Sequence, residues 1–191
     1  MTSSTLLRAA RGAGGLSQRA LADKAGIPQP RIADIEAGAH DTTVGRLEEL
    51  LAPLGQRITF LPSGRRPVWE AAVAVADAVA DADERRAWRE VIQLSDDLHA
   101  SDGAVRVALS VAEPPPTGDP RYDALIAGVV DHWLGRGRLP RPSWVRAVER
   151  TLEPAWDVEP LPELHAAARE RTPRAFARHG VFVAASEFES V

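Results

Sequence analysis

Over the first 55 residues, apolar side chains recur at the three- and four-residue steps of short amphipathic helices. Four helices are predicted. The first covers about 4–11 and closes at Gly12-Ala-Gly-Gly15; the second runs from the N-cap Ser17 to Ala25; the third spans Gln29 to Ala37, and the fourth Thr43 to Leu54. After Gly55 the period shortens. Gln56-Arg-Ile-Thr-Phe-Leu61 alternates as a strand does, with Ile58 and Phe60 on one face. A lone strand behind a helical bundle needs a partner, and the same strand of a second copy is the nearest candidate. Ile58 and Phe60 are therefore expected to form a homodimer contact.

Beyond this point the pattern stays helical. Val68, Ala72, Val75 and Val79 form one stripe; Trp88, Val91, Leu94 and Leu98 a second; Val105, Ala108, Leu109 and Ala112 a third, with Ser101 as its expected cap. Asp119-Pro120 places an N-cap before a proline at the first helical position, and Tyr122, Ile126, Val129, Val130 and Trp133 follow as a stripe ending at Gly135 and Gly137. Ser143 is expected to cap a further helix, and Leu164-His-Ala-Ala-Ala to open another. Thr172 to Gly180 reads as a capped turn, Val181-Phe-Val183 as a buried short strand, and the acidic end SEFESV as loose. The fold class expected is mainly α. Proline and glycine clusters at Leu61–Pro67 and Glu113–Pro120 divide the chain into a domain at 1–61, a helical hairpin plus helix at 62–112, a proline-rich linker at 113–120 and a helical C-terminal region at 121–191.

Charge adds an asymmetry to this plan. Residues 1–66 carry nine basic and six acidic side chains, a balance of +3, so the remainder of a chain with net charge −4 stands at −7. A basic head on an acidic body suits a polyanion-binding module joined to something else. The chain has no cysteine, which excludes disulfides, thiol nucleophiles and thiolate metal sites. No apolar run reaches membrane-spanning length, and the N-terminal residues lack a signal-peptide pattern, so a cytoplasmic protein without membrane contact is expected. Nothing in the pattern calls for a cofactor or a metal.

The segment LSQRALADKAGIPQPRIADIEAG, Leu16 to Gly38, has the mechanics of a helix-turn-helix. Leu16, Leu21, Ala22, Ile27, Ile32 and Ile35 let two short helices share a buried face, and Gly26 supplies the left-handed corner. Residues at the start of the second of these helices then enter the major groove. Glutamine bonds adenine N6 and N7 in a bidentate manner, and arginine takes guanine or phosphate. Gln18, Arg19, Gln29, Pro30, Arg31 and Asp34 are the candidate DNA-binding residues. Proline in the first turn sacrifices an N–H without an intrahelical partner, so Pro28 and Pro30 brace Gln29 rather than break the helix.

These residues resemble the Xre/Cro-type transcriptional regulators over about residues 4–61: Leu-Ser-Gln opens the first helix of the motif, Ala-Gly-Ile makes its turn, and Ile-Glu-Ala-Gly closes the recognition helix. The resemblance implies that Gln18 clamps a phosphate and orients Gln29, and that Gln29 to Asp34 face base edges of double-stranded operator DNA. The sequence departs from that family at Ala33-Asp34, where many relatives carry a polar residue and an arginine; Asp34 accepts from cytosine N4 but repels phosphate.

The body offers little chemistry. Its histidines form no His-Glu-x-x-His pair, and no Gly-x-Ser-x-Gly, P-loop or dinucleotide fingerprint occurs. Arg174 and His179 match the Arg-x(4–6)-His spacing of HEPN-type ribonucleases, a spacing that 22 arginines and five histidines also produce by chance; no enzyme activity is expected. All five tryptophans lie in the body, and Trp144 and Trp156, beside prolines, are expected to be partly exposed. A helix-turn-helix head, a hydrophobic strand and an acidic helical body resemble the antitoxins of bacterial toxin-antitoxin modules, and Thr172 to Val183 is similar to the closing segment of Xre-type proteins associated with nucleotidyltransferase-like toxins. That resemblance implies a repressor of its own operon that neutralises a cognate toxin, with Trp144, Trp156 and Phe188 as partner-binding side chains. The alternative is a stand-alone regulator whose body senses a ligand.

Overall fold

In a computed structural model, which describes residues 2–58 and 64–188, the chain divides into two compact units, 1–62 and 63–191. The described residues hold ten α-helices and two short strands.

The first unit contains α1 (Ser3–Ala13), α2 (Gln18–Ala25), α3 (Gln29–Glu36) and α4 (Val44–Leu51). Each start has a local cause. Thr2, Ser17 and Thr43 accept from backbone N–H groups of the first turns of α1, α2 and α4, while Pro28 precedes α3 with extended backbone. Gly26 stops α2 at φ 65°, a left-handed conformation that costs glycine little. Leu7, Leu21, Ile32, Ile35, Leu47 and Leu50 meet in the core, each fully removed from water or nearly so. Burial of such a side chain is worth roughly 1.5–3 kcal/mol. The fourth helix is shorter than the Thr43–Leu54 pattern implied, because Pro53 leaves Ala52–Leu54 as one 3₁₀ turn.

The second unit is built around α8 (Pro120–Arg136). Asp119 accepts from the Arg121 N–H, and Pro120 occupies the first helical position, as the sequence predicts. From Ala124 to Leu134 every residue is buried. A helix enclosed all round in this way is a central element rather than a surface one. Around it lie α5 (Val68–Ala80), α6 (Glu84–His99), α7 (Gly103–Ser110), α10 (Arg174–Arg178) and β2 (Val181–Phe182), while α9 (His165–Arg171) follows a 3₁₀ turn. The strand β2 pairs in parallel with β1 (Trp156–Asp157), Trp156 opposite Val181. Arg106 ties the helix ends together: its guanidinium donates to the carbonyls of Leu98, His99, Ser101 and Trp133. Leu98, His99 and Trp133 stand in the last turns of α6 and α8, and Ser101 just beyond α6, where helix carbonyls run short of intrahelical donors. Desolvation by this packing lowers the Arg106 pKa.

Several sequence expectations are corrected. Residues 113–120 are no linker between separate units. Pro114 and Thr117 are buried, Pro114 O accepts from Arg150 at 2.6 Å, and the Thr117 N–H donates to Asp123 at 2.9 Å, so this segment is part of the body. Asp102, not Ser101, caps α7; the Ser101 hydroxyl turns back to the Asp97 carbonyl at 2.6 Å. Ser143 lies in a 3₁₀ turn that follows Pro142. The end of the described chain is not loose, for Phe188 is buried against Phe176 and Trp88.

Candidate DNA-binding surface

Helices α2 and α3 present the surface expected of a reading head. Gln29, Pro30, Arg31 and Asp34 are exposed on α3, and Arg19 is exposed on α2 beside the half-buried Gln18. Proline at the second helical position of α3 leaves the first turn intact.

Behind this face runs a chain of polar contacts. Glu36, at the end of α3, is buried to 3% exposure, and its carboxylate is held by α1: Arg11 Nε donates to Oε1 at 2.7 Å and a terminal nitrogen of Arg11 to Oε2 at 3.0 Å. The Gln18 side-chain amide donates to the same Oε2 at 2.9 Å, and Gln18 Oε1 accepts from Gln29 Nε2 at 3.1 Å. Carboxylate oxygens only accept, so Glu36 fixes which end of the Gln18 amide points inward. That leaves Gln18 Oε1 facing Gln29. The buried Glu36 thereby determines the orientation of an exposed glutamine on the reading helix. Arg8 donates to the Glu36 carbonyl at 2.5 Å and Arg11 to the Leu16 carbonyl at 2.7 Å, tying α1 to α3 and to the turn that leads into α2.

The cations sort by use. Arg8 and Arg11 are spent on the fold, and Arg46 pairs with Glu49 at 2.5 Å. Arg19 and Arg31 have no ion pair among the described residues. Such exposed guanidinium groups suit phosphate, which contributes affinity and register, whereas Gln29 suits a base edge. Asp34 is exposed on the same helix. Sequence reasoning missed Arg11 and Glu36 as parts of the site. The signal was a glutamate at the end of an otherwise amphipathic helix, on its apolar face next to Ile35.

The remaining named residues lie elsewhere. Ile58 carries no strand, since residues 56–58 have no regular structure; its side chain packs against its own domain's core, and Gln56 donates to the Ala10 carbonyl at 3.1 Å. The segment returns to α1 instead of presenting Ile58 outward. Phe60 lies outside the described residues. Trp144 is not exposed: at 5% exposure it is a core residue, and its indole N–H donates to the Ser110 carbonyl at 3.0 Å. Phe188 is core as well, stacked on Phe176 at 4.9 Å. Trp156 is half-buried between Tyr122 and the Arg121 guanidinium, whose carbon lies 5.4 Å from the ring centroid. Arg174 and His179 do not come together as a catalytic pair; Arg174 is exposed at the start of α10, while His179 is buried at its end and bonded to the Arg150 carbonyl.

Among the described residues no helix is long and apolar enough to cross a membrane, and there is no cluster of ligating side chains for a metal. Neither a curated protein nor a solved structure matches the chain. Residues 7–61 match a helix-turn-helix family, which agrees with the extent of the first unit and supports a DNA-binding transcriptional regulator.

Proposed function

We propose that the chain is a sequence-specific repressor that reads double-stranded operator DNA with the first turn of α3, two copies occupying two half-sites about one helical turn apart. The observation that carries this reading is the polar chain from Arg11 through Glu36 and Gln18 to Gln29, which orients an amide on an exposed helix face. A buried charge has no use for so long a connection to the surface unless the surface group must be held in one orientation. The test is selection of bound sequences from random duplexes, followed by fluorescence anisotropy on the selected site and on the DNA preceding the gene. A selected motif bound no more tightly than random duplex would overturn the reading.

The narrower role, neutralisation of a toxin by an antitoxin that represses its own operon, follows from the resemblance and from the −7 charge of the body. Trp144 and Phe188 are core, so of the aromatic side chains expected to meet a toxin Trp156 alone is even partly exposed. Co-expression with the neighbouring reading frame tests this role; relief of growth arrest by the body supports it. A ligand-sensing body is favoured by a separate observation, a cavity beside α8.

A further inference from the structure

The buried stretch of α8 contains one carboxylate, Asp131, whose side chain is 3% exposed. Burial of a carboxylate demands charged partners. Arg141 Nε donates to Asp131 Oδ1, and Arg178 donates to Oδ2 at 3.0 Å. Next to them, His179 is 4% exposed and its Nδ1 lies 2.8 Å from the Arg150 carbonyl. A carbonyl only accepts, so Nδ1 carries the proton, and in the neutral ring Nε2 is a bare acceptor. Burial lowers the His179 pKa, which keeps the ring neutral. Nε2 has no hydrogen-bond partner and lies 3.9 Å from Asp131 Oδ2.

These four side chains, with Arg146 and Thr151, line an open cavity of about 400 Å³. Arg146 is exposed and has no ion pair among the described residues. Three guanidinium groups face one carboxylate here, a surplus of two positive charges. A network serving the fold alone would close its own hydrogen bonds and balance its charge. This one leaves a buried acceptor without a partner in the wall of the cavity and an exposed cation, Arg146, on its lining.

We propose that the cavity binds a small phosphate monoester that also carries a hydroxyl group, of the size of a sugar phosphate. The phosphate dianion matches the surplus charge and the forked donors of Arg146 and Arg178. The hydroxyl supplies the donor that His179 Nε2 lacks. The volume lies at the lower end of the roughly 300–1,000 Å³ range of ligand sites, which favours a small molecule over an extended one. As an effector of DNA binding, the ligand deepens the repressor reading and rests on it; occupation of the cavity does not.

The test uses the full chain and isothermal titration with ribose 5-phosphate, inorganic phosphate, ribose and malate, alongside anisotropy on the selected operator. Ribose 5-phosphate is expected to bind more tightly than phosphate, ribose or malate. Arg146→Ala, at an exposed position with no partner to lose, is expected to weaken ribose 5-phosphate at least about tenfold with an unchanged circular dichroism spectrum. His179→Asn keeps a donor toward the Arg150 carbonyl and withdraws the Nε2 acceptor, so it is expected to weaken ribose 5-phosphate more than inorganic phosphate. No saturable binding of either phosphate, binding unchanged in Arg146→Ala, or malate bound as tightly as ribose 5-phosphate would each overturn the proposal. Operator binding without ligand binding removes the cavity's role alone, whereas ligand binding without operator binding removes the repressor reading alone.

Discussion

Gln29 Nε2 donates to Gln18 Oε1 across 3.1 Å, from the exposed face of α3 to the start of α2. The bond leaves Gln29 Oε1 and one amide hydrogen free, the pair that adenine N6 and N7 require. Gln29→Ala is therefore expected to cost about 1–3 kcal/mol on the selected operator and little on random duplex. Anisotropy on single-substituted operators locates the base pair whose identity ceases to matter. Arg31→Ala is expected to weaken all duplexes alike and to reduce the salt slope by about one. Equal losses on every sequence in Gln29→Ala would assign Gln29 to the phosphate backbone.

Glu36 has a structural and a recognition consequence together. Glu36→Ala removes the carboxylate from two Arg11 donors and frees Gln18 to rotate, so the first unit is expected to lose about 2–3 kcal/mol, below the range for a fully buried pair because Arg11 is 20% exposed and keeps its bond to the Leu16 carbonyl. Urea unfolding of the first unit, followed by circular dichroism, measures the loss. Arg11→Ala with Glu36→Ala is expected to cost less than the sum of the two single changes. Additive losses would mean that the pair contributes nothing to stability.

The close fit of the C-terminal turn is open to a similar comparison. Gly180 has φ +69°, and a Cβ there would stand 2.5 Å from the Leu152 carbonyl oxygen. That oxygen is backbone beside the β1–β2 pair, where Gly180 O accepts from the Trp156 N–H at 2.7 Å, so it has little room to retreat. Gly180→Ala is expected to destabilise the second unit by more than about 2 kcal/mol, the positive φ alone accounting for roughly 1–2. Gly15→Ala is the control, since it has the same sign of φ and nothing within 4 Å of a Cβ. Scanning calorimetry of both variants separates strain from collision.

What was legible in the sequence follows from how locally each feature is determined. Ser17, Gly26, Asp119 and Pro120 act on their own turns, so the helix starts and stops they set could be read from neighbouring residues. Gln18, Gln29 and Arg31 were legible as a surface, because a known motif fixes their faces. Arg11 and Glu36 were not, since their meaning lies in a contact across 25 positions. The same limit hid the burial of Trp144 and Phe188. Proline neighbours and an acidic terminus look like surface, whereas Ser110, 34 residues before Trp144, supplies the indole's acceptor, and Phe176 supplies the ring on which Phe188 stacks. Parallel pairing of Trp156 with Val181 was likewise invisible to two-residue strands read separately.

His179 makes the body's stability depend on pH in a window that begins near the ordinary imidazole value and extends below it. Burial lowers its folded pKa below the ordinary 6.5; the Arg150 carbonyl and Asp131, which favour the charged ring, do not outweigh it, and Arg178 adds to the lowering. As pH falls below about 6.5, the unfolded chain takes up a proton that the folded ring refuses. Stability therefore falls with a slope of at most about 1.4 kcal/mol per pH unit and levels off below the folded pKa. Asp157 titrates in a different window. The Arg169 hydrogen bonds lower its pKa, so its contribution is present above about pH 4 and is lost only under stronger acid. Because the chain holds four other histidines, the measurement is a difference: urea midpoints of the wild type and of His179→Asn between pH 5 and 8. The two curves are expected to converge as pH falls from 7 to 5. Parallel curves would show that the ring holds the same charge, folded and unfolded, and that Asp131 rather than burial sets its protonation.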